Sequence, residues 1–256
     1  MKLFDTHAHY NDNAFDRDRE ALLDALPDAG VGAVVIPGVD VESARSALAL
    51  AETRPWLFAA AGIHPEDCAG CTAADFSAIR DLCREKKVVA IGEIGLDYYW
   101  AENPPKEFQQ MVFRRQLELA LELELPVIVH DREAHGDSLA IVKEFPGVRG
   151  VFHCYSGSLE MAKELLKRGF YLGFGGTSTY KNAAKVREVL QYVPDDLLLF
   201  ETDSPYLTPV PYRGKRNQPG YTELVARNAA EVRGTTFEAL AAQTTKNVKT
   251  LFNKIK

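Results

Sequence analysis

The stretch from Val88 to Leu96 reads VVAIGEIGL, a nearly unbroken apolar run. Such a run predicts a strand that is buried on both faces, as strands are in parallel sheets. Residues Lys106 to Leu125 follow it with the helical spacing of apolar and charged side chains, and another apolar strand begins at Pro126. The order of strand, helix and strand is the repeating unit of a parallel α/β fold.

The same pairing of strand and helix recurs along the chain in eight units. The expected strands are Leu3 to His9, Ala33 to Val39, Leu57 to His64, Val88 to Leu96, Pro126 to His130, Val151 to Tyr155, Tyr171 to Gly175 and Leu197 to Thr202. The expected helices are Phe15 to Leu26, Val41 to Thr53, Asp75 to Lys86, Lys106 to Leu125, Asp137 to Glu144, Leu159 to Arg168, Asn182 to Tyr192 and Tyr221 to Val232.

Eight such units are typical of a closed (β/α)₈ TIM barrel, which we expect to form a single domain over residues 1–256. A terminal helix from Thr235 to Phe252 should pack on this barrel. An open doubly wound sheet is the alternative architecture, but no GxGxxG sequence follows the first strand.

The composition excludes several classes of protein. With 46% hydrophobic and 26% charged residues, the chain is neither disordered nor collagen-like. Its net charge of −6 provides no overall basic field for nucleic acid or anionic lipid, so any phosphate binding must be local. No apolar run approaches the roughly 18 residues of a membrane span. We therefore expect a cytoplasmic protein that does not bind membranes and needs no obligate protein partner.

Nearly every histidine falls at the carboxyl end of an expected strand, where barrel enzymes build their active sites. His7 and His9 lie two residues apart on an extended chain, so both imidazoles point to the same side and can bind one ion. The other ionisable residues at strand ends are His64, Glu93, His130, His153 and Asp203.

Each of these residues alone could be an ordinary hydrogen-bonded structural residue. Several buried imidazoles and carboxylates at one end of a barrel are costly, however, unless a cation compensates them. This set of side chains is the one that binds Zn²⁺, Mn²⁺ or a related divalent ion. Glu201, two residues before Asp203, should face the same way at greater depth and support a ligand.

Six motifs carry a resemblance to a known family. They are His7-Ala8-His9, Gly62-Ile63-His64-Pro65, Gly92-Glu93-Ile94-Gly95-Leu96-Asp97-Tyr98-Tyr99, His130-Asp131-Arg132-Glu133-Ala134, Phe152-His153-Cys154-Tyr155-Ser156-Gly157 and Glu201-Thr202-Asp203-Ser204-Pro205-Tyr206-Leu207. In this order, and extending to Asn247, the chain resembles the TatD family of metal-dependent deoxyribonucleases. The local departures are Glu66-Asp67, where many relatives have a further histidine, and Gln218, where glutamate is commoner. Both bear on substrate contacts only.

The resemblance implies a barrel with two divalent metal ions (Mg, Mn or Zn) that hydrolyses phosphodiesters of DNA. The expected substrate is single-stranded DNA or a 3′ end, cleaved in the 3′ to 5′ direction. By this likeness one ion is held by His7, His9, Glu93 and Asp203, and Glu93 bridges to a second ion held by His130 and His153.

Further roles follow from the chemistry around these ligands. Asp203 is the candidate to orient or deprotonate the attacking water, with Glu93 as its catalytic partner at the metals. His64 and Arg132 belong to neither ligand set, so we assign them to the scissile phosphate. Tyr98 and Tyr99, with Trp100, could stack an end base or form a hydrophobic lid. Additional candidate substrate contacts, in a loop that could also be merely solvated, are Arg213, Lys215 and Arg216.

Two other functions stay open. A hydrolase of a small amide or ester, or of aminoacyl-tRNA, could use the same barrel and metals. A non-catalytic scaffold would leave an open metal site without a task.

Overall fold

The computed structural model describes residues 2–256, and this range forms eight parallel strands and nine α-helices. The strands are Leu3–Asp5 (β1), Val31–Pro37 (β2), Leu57–Ala61 (β3), Val88–Asp97 (β4), Val127–Arg132 (β5), Gly150–Phe152 (β6), Tyr171–Phe174 (β7) and Leu198–Phe200 (β8). The helices are Arg19–Ala25 (α1), Val41–Glu52 (α2), Ala73–Cys83 (α3), Lys106–Leu123 (α4), His135–Glu144 (α5), Leu159–Leu166 (α6), Ala184–Tyr192 (α7), Thr222–Arg233 (α8) and Phe237–Leu251 (α9).

Each strand pairs in parallel with the next one along the chain, from β1 through to β8. A parallel bridge between Ala8 and Ser204, just beyond β1 and β8, joins the two ends of the sheet. The backbone N–H of His9 donates to the carbonyl of Ser204 at 2.7 Å, and that of Asp203 donates to the carbonyl of His7 at 2.9 Å. The chain is therefore the expected (β/α)₈ barrel.

Two apolar cores stabilise this barrel. Inside it, inward-pointing side chains such as Val35, Ile128 and Leu199 pack together, and Val248 and Phe252 from the end of the chain close the amino-terminal opening. Outside it, the helices cover the other face of the strands. The terminal helix α9 is fixed to the barrel by Asn247, whose side-chain amide donates to the carbonyl of Leu198 at 2.8 Å.

The boundaries of several elements differ from those expected. The first strand ends at Asp5 instead of His9 because the Asp5 carboxylate accepts the N–H of His7 at 3.2 Å, which interrupts regular strand pairing. The first helix begins at Arg19, since Asn13–Phe15 forms a separate 3₁₀ turn capped by Asp12. None of the helices in residues 2–256 is both long enough and apolar enough to cross a membrane.

Candidate metal centre and active-site cleft

The ionisable side chains lie at the carboxyl end of the barrel. Because side chains alternate along a strand, His130 faces the same way as buried Ile128, whereas Asp203 lies beyond the end of β8 with a φ of 56°. A glycine allows β4 and β5 to approach here: Gly95 has φ 139°, and a Cβ on it would collide with the carbonyl oxygen of His130.

The first cluster lies where β1 and β8 meet. His7 Nε2 is 3.2 Å from His9 Nε2, 3.1 Å from Glu93 Oε2 and 3.6 Å from Asp203 Oδ1. His9 Nε2 is 3.6 Å from Glu93 Oε2 and 3.5 Å from Asp203 Oδ1. Four potential ligand atoms thus surround one point.

The second cluster lies on the other side of the same glutamate. Its Oε1 is 2.9 Å from His130 Nδ1 and 2.8 Å from His153 Nε2, and those two nitrogens are 3.3 Å apart. His64 Nε2 stands 3.4 Å from the same oxygen. Each oxygen of the Glu93 carboxylate therefore faces a different group of imidazoles.

These separations fit divalent ions. Nitrogen and oxygen ligands about 2.1 Å from a tetrahedral ion are about 3.4 Å from one another, and the distances in the first cluster run from 3.1 to 3.6 Å. Imidazole and carboxylate are also the donor types of zinc and manganese sites. The residues present therefore suit the ions that the resemblance implies.

The electrostatics of the centre support the same conclusion. Burial alone would raise the pKa of Glu93, but the imidazoles of His153 and His7 hold it well below its usual value. Burial would lower the pKa of His130, yet its contacts with Asp97 and Glu93 raise it to about 9. The carboxylates thus stabilise positive charge at this point, which a divalent ion can supply in place of imidazole protons.

Two buried carboxylates stand behind the second cluster. Asp97 Oδ2 is 3.0 Å from His130 Nε2, and Glu201 Oε1 is 3.5 Å from His153 Nδ1. Sequence reasoning anticipated the supporting place of Glu201 but assigned no role to Asp97. The position of Asp97 in the sequence could have indicated this role, because Asp97 lies two residues beyond Gly95, and Gly95 pairs with His130 in the sheet.

A cleft of about 880 Å³ opens above the two clusters. Its floor is formed by five of the predicted ligands and by His64. Arg132, Trp100 and Tyr206 line its walls. Its acidic lining residues outside the ligand set are Asp12, Glu66, Asp67 and Asp131.

The aromatic residues after β4 divide between two surroundings. The Tyr98 hydroxyl donates to Asp137 at 2.9 Å and its ring lies under Lys106 Nζ at 4.3 Å, so Tyr98 is held by α4 and α5 and is not among the residues that line the cleft. Tyr99 is exposed and stacks 3.8 Å below the Arg132 guanidinium, whose position in the cleft wall agrees with a phosphate contact.

The basic residues after β8 stand apart from the cleft and differ among themselves. Arg216 bonds both oxygens of Asp18, at 2.6 and 2.8 Å, so its charge is already paired. That pairing argues against the substrate contact expected of Arg216. Arg213 lies 4.3 Å above the ring of Tyr180 and Lys215 lies near Tyr212, and both basic residues remain exposed.

A barrel with histidine and carboxylate clusters at its carboxyl end defines a metal-dependent hydrolase. Comparison with known proteins agrees, because the family described as TatD related DNase matches residues 4–253. The chain belongs to the TatD family.

Individual relatives extend over nearly the whole chain. The metal-dependent hydrolase YabD of Bacillus subtilis is 46% identical over 252 residues, 98% of each protein. A protein of Escherichia fergusonii named 3'-5' ssDNA/RNA exonuclease TatD is 35% identical over 260 residues, 98% of each. The crystal structure of the TatD homolog YJJV from Escherichia coli superimposes with a TM-score of 0.92 at 36% identity, covering 98% of both chains.

Proposed function

We propose that the protein is a 3′–5′ exonuclease that hydrolyses phosphodiesters in single-stranded DNA with two divalent ions. The observation that carries this proposal is the Glu93 carboxylate, whose two oxygens face separate imidazole clusters on the floor of an open cleft. The relative named as a 3'-5' ssDNA/RNA exonuclease supports the choice of substrate and direction.

The chain would hold one ion with His7, His9 and Asp203 and the other with His130 and His153, with Glu93 serving both. When bound, Mg²⁺, Mn²⁺ or Zn²⁺ would acidify a water and neutralise charge on the phosphodiester. The protein's own contribution is to fix these ligands on the ends of adjacent strands, so that little reorganisation is needed during the reaction.

Asp203 is the candidate to orient the attacking water and accept its proton. It is the carboxylate of the first cluster that is not shared with the second, and 13% of its side chain is exposed toward the cleft. Burial would raise the pKa of Asp203, but its bond with His9 lowers it, so the side chain is ionised at neutral pH and able to accept a proton.

His64 and Arg132 would bind the phosphate undergoing attack. His64 is buried beside the second cluster, and the planar Arg132 guanidinium can hold two phosphate oxygens at once. Trp100 is 44% exposed and lines the cleft, so a terminal base could stack on it with about 1–3 kcal/mol. Tyr99 would support Arg132 from below.

One observation favours a second candidate, a hydrolase of a small ester or amide or of aminoacyl-tRNA. The acidic residues of the cleft wall, Asp12, Glu66, Asp67 and Asp131, outnumber Arg132, and they would repel a long polyanion that followed the wall. A compact substrate would avoid that repulsion.

The deciding experiment compares these substrates on protein loaded with each metal in turn. Single-stranded DNA labelled at its 5′ end should shorten one nucleotide at a time from its 3′ end. The matched control is the same strand with its last linkages made as phosphorothioates, which should resist. Turnover of small esters or aminoacyl-tRNA together with intact DNA would instead favour the second candidate.

A further inference from the structure

We propose that Asp97 is a positioning residue that couples the second metal cluster to the aromatic loop, which we define as residues 98–103. The buried Asp97 carboxylate reaches both. Its Oδ2 lies 3.0 Å from His130 Nε2, while its Oδ1 accepts the backbone N–H of Tyr99 at 2.9 Å and the side-chain amide of Asn103 at 3.1 Å. This inference rests on the proposed role of His130 as a metal ligand.

The contact with His130 determines which ring nitrogen is free. A carboxylate accepts hydrogen bonds, so Asp97 places the imidazole proton on Nε2 and leaves the lone pair of Nδ1 directed at the second cluster. Partners of this kind commonly raise metal affinity 10–100-fold. No metal contact by Asp97 itself is needed.

The contacts with the loop determine where the cleft wall stands. The aromatic loop carries Trp100, which lines the cleft, and Tyr99, which lies under Arg132. Both hydrogen bonds that tie Tyr99 and Asn103 to the Asp97 carboxylate use the same oxygen. A shift of that carboxylate would therefore move the wall against which a substrate would lie.

The backbone at Asp97 is itself held firmly. Gln109 of α4 is buried, accepts the Asp97 N–H at 2.9 Å and donates to the Asp97 carbonyl at 2.9 Å. Its amide also donates to the carbonyl of Pro104 at 2.8 Å, where the loop ends. Movement at His130 thus passes to the loop through the Asp97 side chain, because the main chain on either side is fixed.

The consequence is a linkage between ion binding and the wall of the cleft. An ion at the second cluster holds His130, His130 holds the Asp97 carboxylate, and that carboxylate holds the loop. Such coupling is reciprocal, so a ligand stacked on Trp100 should also tighten the second ion.

Two variants separate the two contacts. In Asp97→Asn the amide oxygen can keep the bonds to Tyr99 and Asn103, but the amide nitrogen facing His130 can only donate, which forces the proton onto Nδ1. We expect the second Mn²⁺ or Zn²⁺ to bind at least about 10-fold more weakly, with the first unchanged. In Asn103→Ala both ions should bind as in the parent.

The readout is calorimetric titration with each metal, together with fluorescence of Trp100 in a Trp56→Phe background, since the chain has two tryptophans. In the parent, the Trp100 signal should change as the second equivalent of metal binds. That change should be lost in both variants. Asp131→Asn is the matched control, because it removes a neighbouring carboxylate that bonds His135 and Ser138 instead of His130. It should retain both the second ion and the signal.

Two results would overturn the inference. The first is that folded Asp97→Asn binds the second ion as tightly as the parent does. The second is that the Trp100 fluorescence of Asn103→Ala responds to metal as in the parent. This second measurement still tests the inference if Asp97→Asn does not fold. A parent that binds a single ion would overturn the two-ion centre and this inference with it. Two ions and the expected variant effects, without any hydrolysis of DNA, would uphold the inference and remove the proposed substrate.

Discussion

The two halves of the proposed metal centre share Glu93 but obtain their negative charge differently. The first cluster has a carboxylate of its own, Asp203, among the potential ligand atoms. The second has none, and its histidines are instead backed by the buried carboxylates of Asp97 and Glu201. Beyond the charge of Glu93, which both halves share, negative charge therefore acts directly on an ion in the first half, but through the imidazoles in the second.

The supporting bonds differ in the same way. His7 Nδ1 is buried and has no hydrogen-bond partner within residues 2–256, and its ring is instead stacked 4.0 Å from that of His153. His153 Nδ1 of the second half is likewise buried without such a partner, whereas His130 is bonded through both nitrogens. We infer that ion binding in the first half depends on charge, and in the second half on how the His130 imidazole is oriented and protonated.

The largest effect should come from the residue that the halves share. Glu93→Gln removes the charge from both clusters, so we expect loss of both ions and a fall in kcat of about a thousandfold or more, roughly 4 kcal/mol of barrier. Metal analysis of the folded variant tests this directly. Asp131→Asn, which also removes a cleft carboxylate but one that bonds His135 and Ser138, is the control. Two ions retained with full activity in Glu93→Gln would remove Glu93 from the centre.

The next prediction distinguishes the halves. Asp203→Asn should lower kcat by about 10²–10⁴-fold, because an amide cannot accept the water's proton, while single-stranded DNA still binds. Rapid-quench kinetics and a DNA-binding titration measure the two separately. A loss of less than about tenfold would point to another base and to a purely structural aspartate.

His130→Ala tests the other half. It should lose chiefly one ion, since the first cluster keeps His7, His9 and Asp203. The test is to measure the metal content of the variant and of the parent after dialysis. Loss of both ions would mean that the clusters do not fill independently.

The barrel could be predicted from the sequence for a physical reason, because buried parallel strands leave continuous apolar runs. The proposed ligands could be nominated because they lie near the carboxyl ends of those strands, and their role stays a prediction. The role of Asp97 could not be read in this way, because it depends on how β4 and β5 align and on which nitrogen of His130 faces inward. The pairing of Arg216 with Asp18 joins residues 198 positions apart, which no local pattern reports.

Tyr98 shows that the surroundings of a side chain cannot be predicted from its neighbours in the sequence either. It is next to Tyr99 in sequence, and either tyrosine could be expected to stack an end base or to form a hydrophobic lid. The turn after β4 instead directs the Tyr98 hydroxyl to Asp137 and Gln110 on neighbouring helices. Composition identified an aromatic loop, but the direction of each ring depends on partners that are distant in sequence.

The protonation of the second half should appear in the stability of metal-free protein. The pKa of His130 is raised to about 9 from an ordinary 6.5, so its protonated form stabilises the fold. That contribution is fully present below about pH 6.5 and is lost as the pH rises through about 9, and it is on the order of 3 kcal/mol. Thermal melting of chelator-treated parent and His130→Gln across this range measures it. Parallel curves for the two proteins would contradict the assignment.

The smallest effect concerns the basic residues around the cleft, which also differ between the two halves. Arg132 ends β5, the strand of His130, and lines the cleft, whereas Arg213 and Lys215 come after β8 and Asp203 and lie outside the cleft wall. If a DNA strand leaves the cleft over the first half, replacing Arg213 and Lys215 with Ala should raise KM several-fold. It should also reduce the slope of log K against log salt by about 1.4, or about 0.7 for each lost phosphate contact. A small chromogenic phosphodiester, which fills only the metal centre, should be hydrolysed at the parent rate.

Arg216→Ala is the matched control, since its charge is paired with Asp18, and it should leave the salt slope unchanged. Equal losses on both substrates would make the loop a structural support of the first half. Unchanged kinetics on DNA would mean that the strand leaves past Arg132, on the side of the second half.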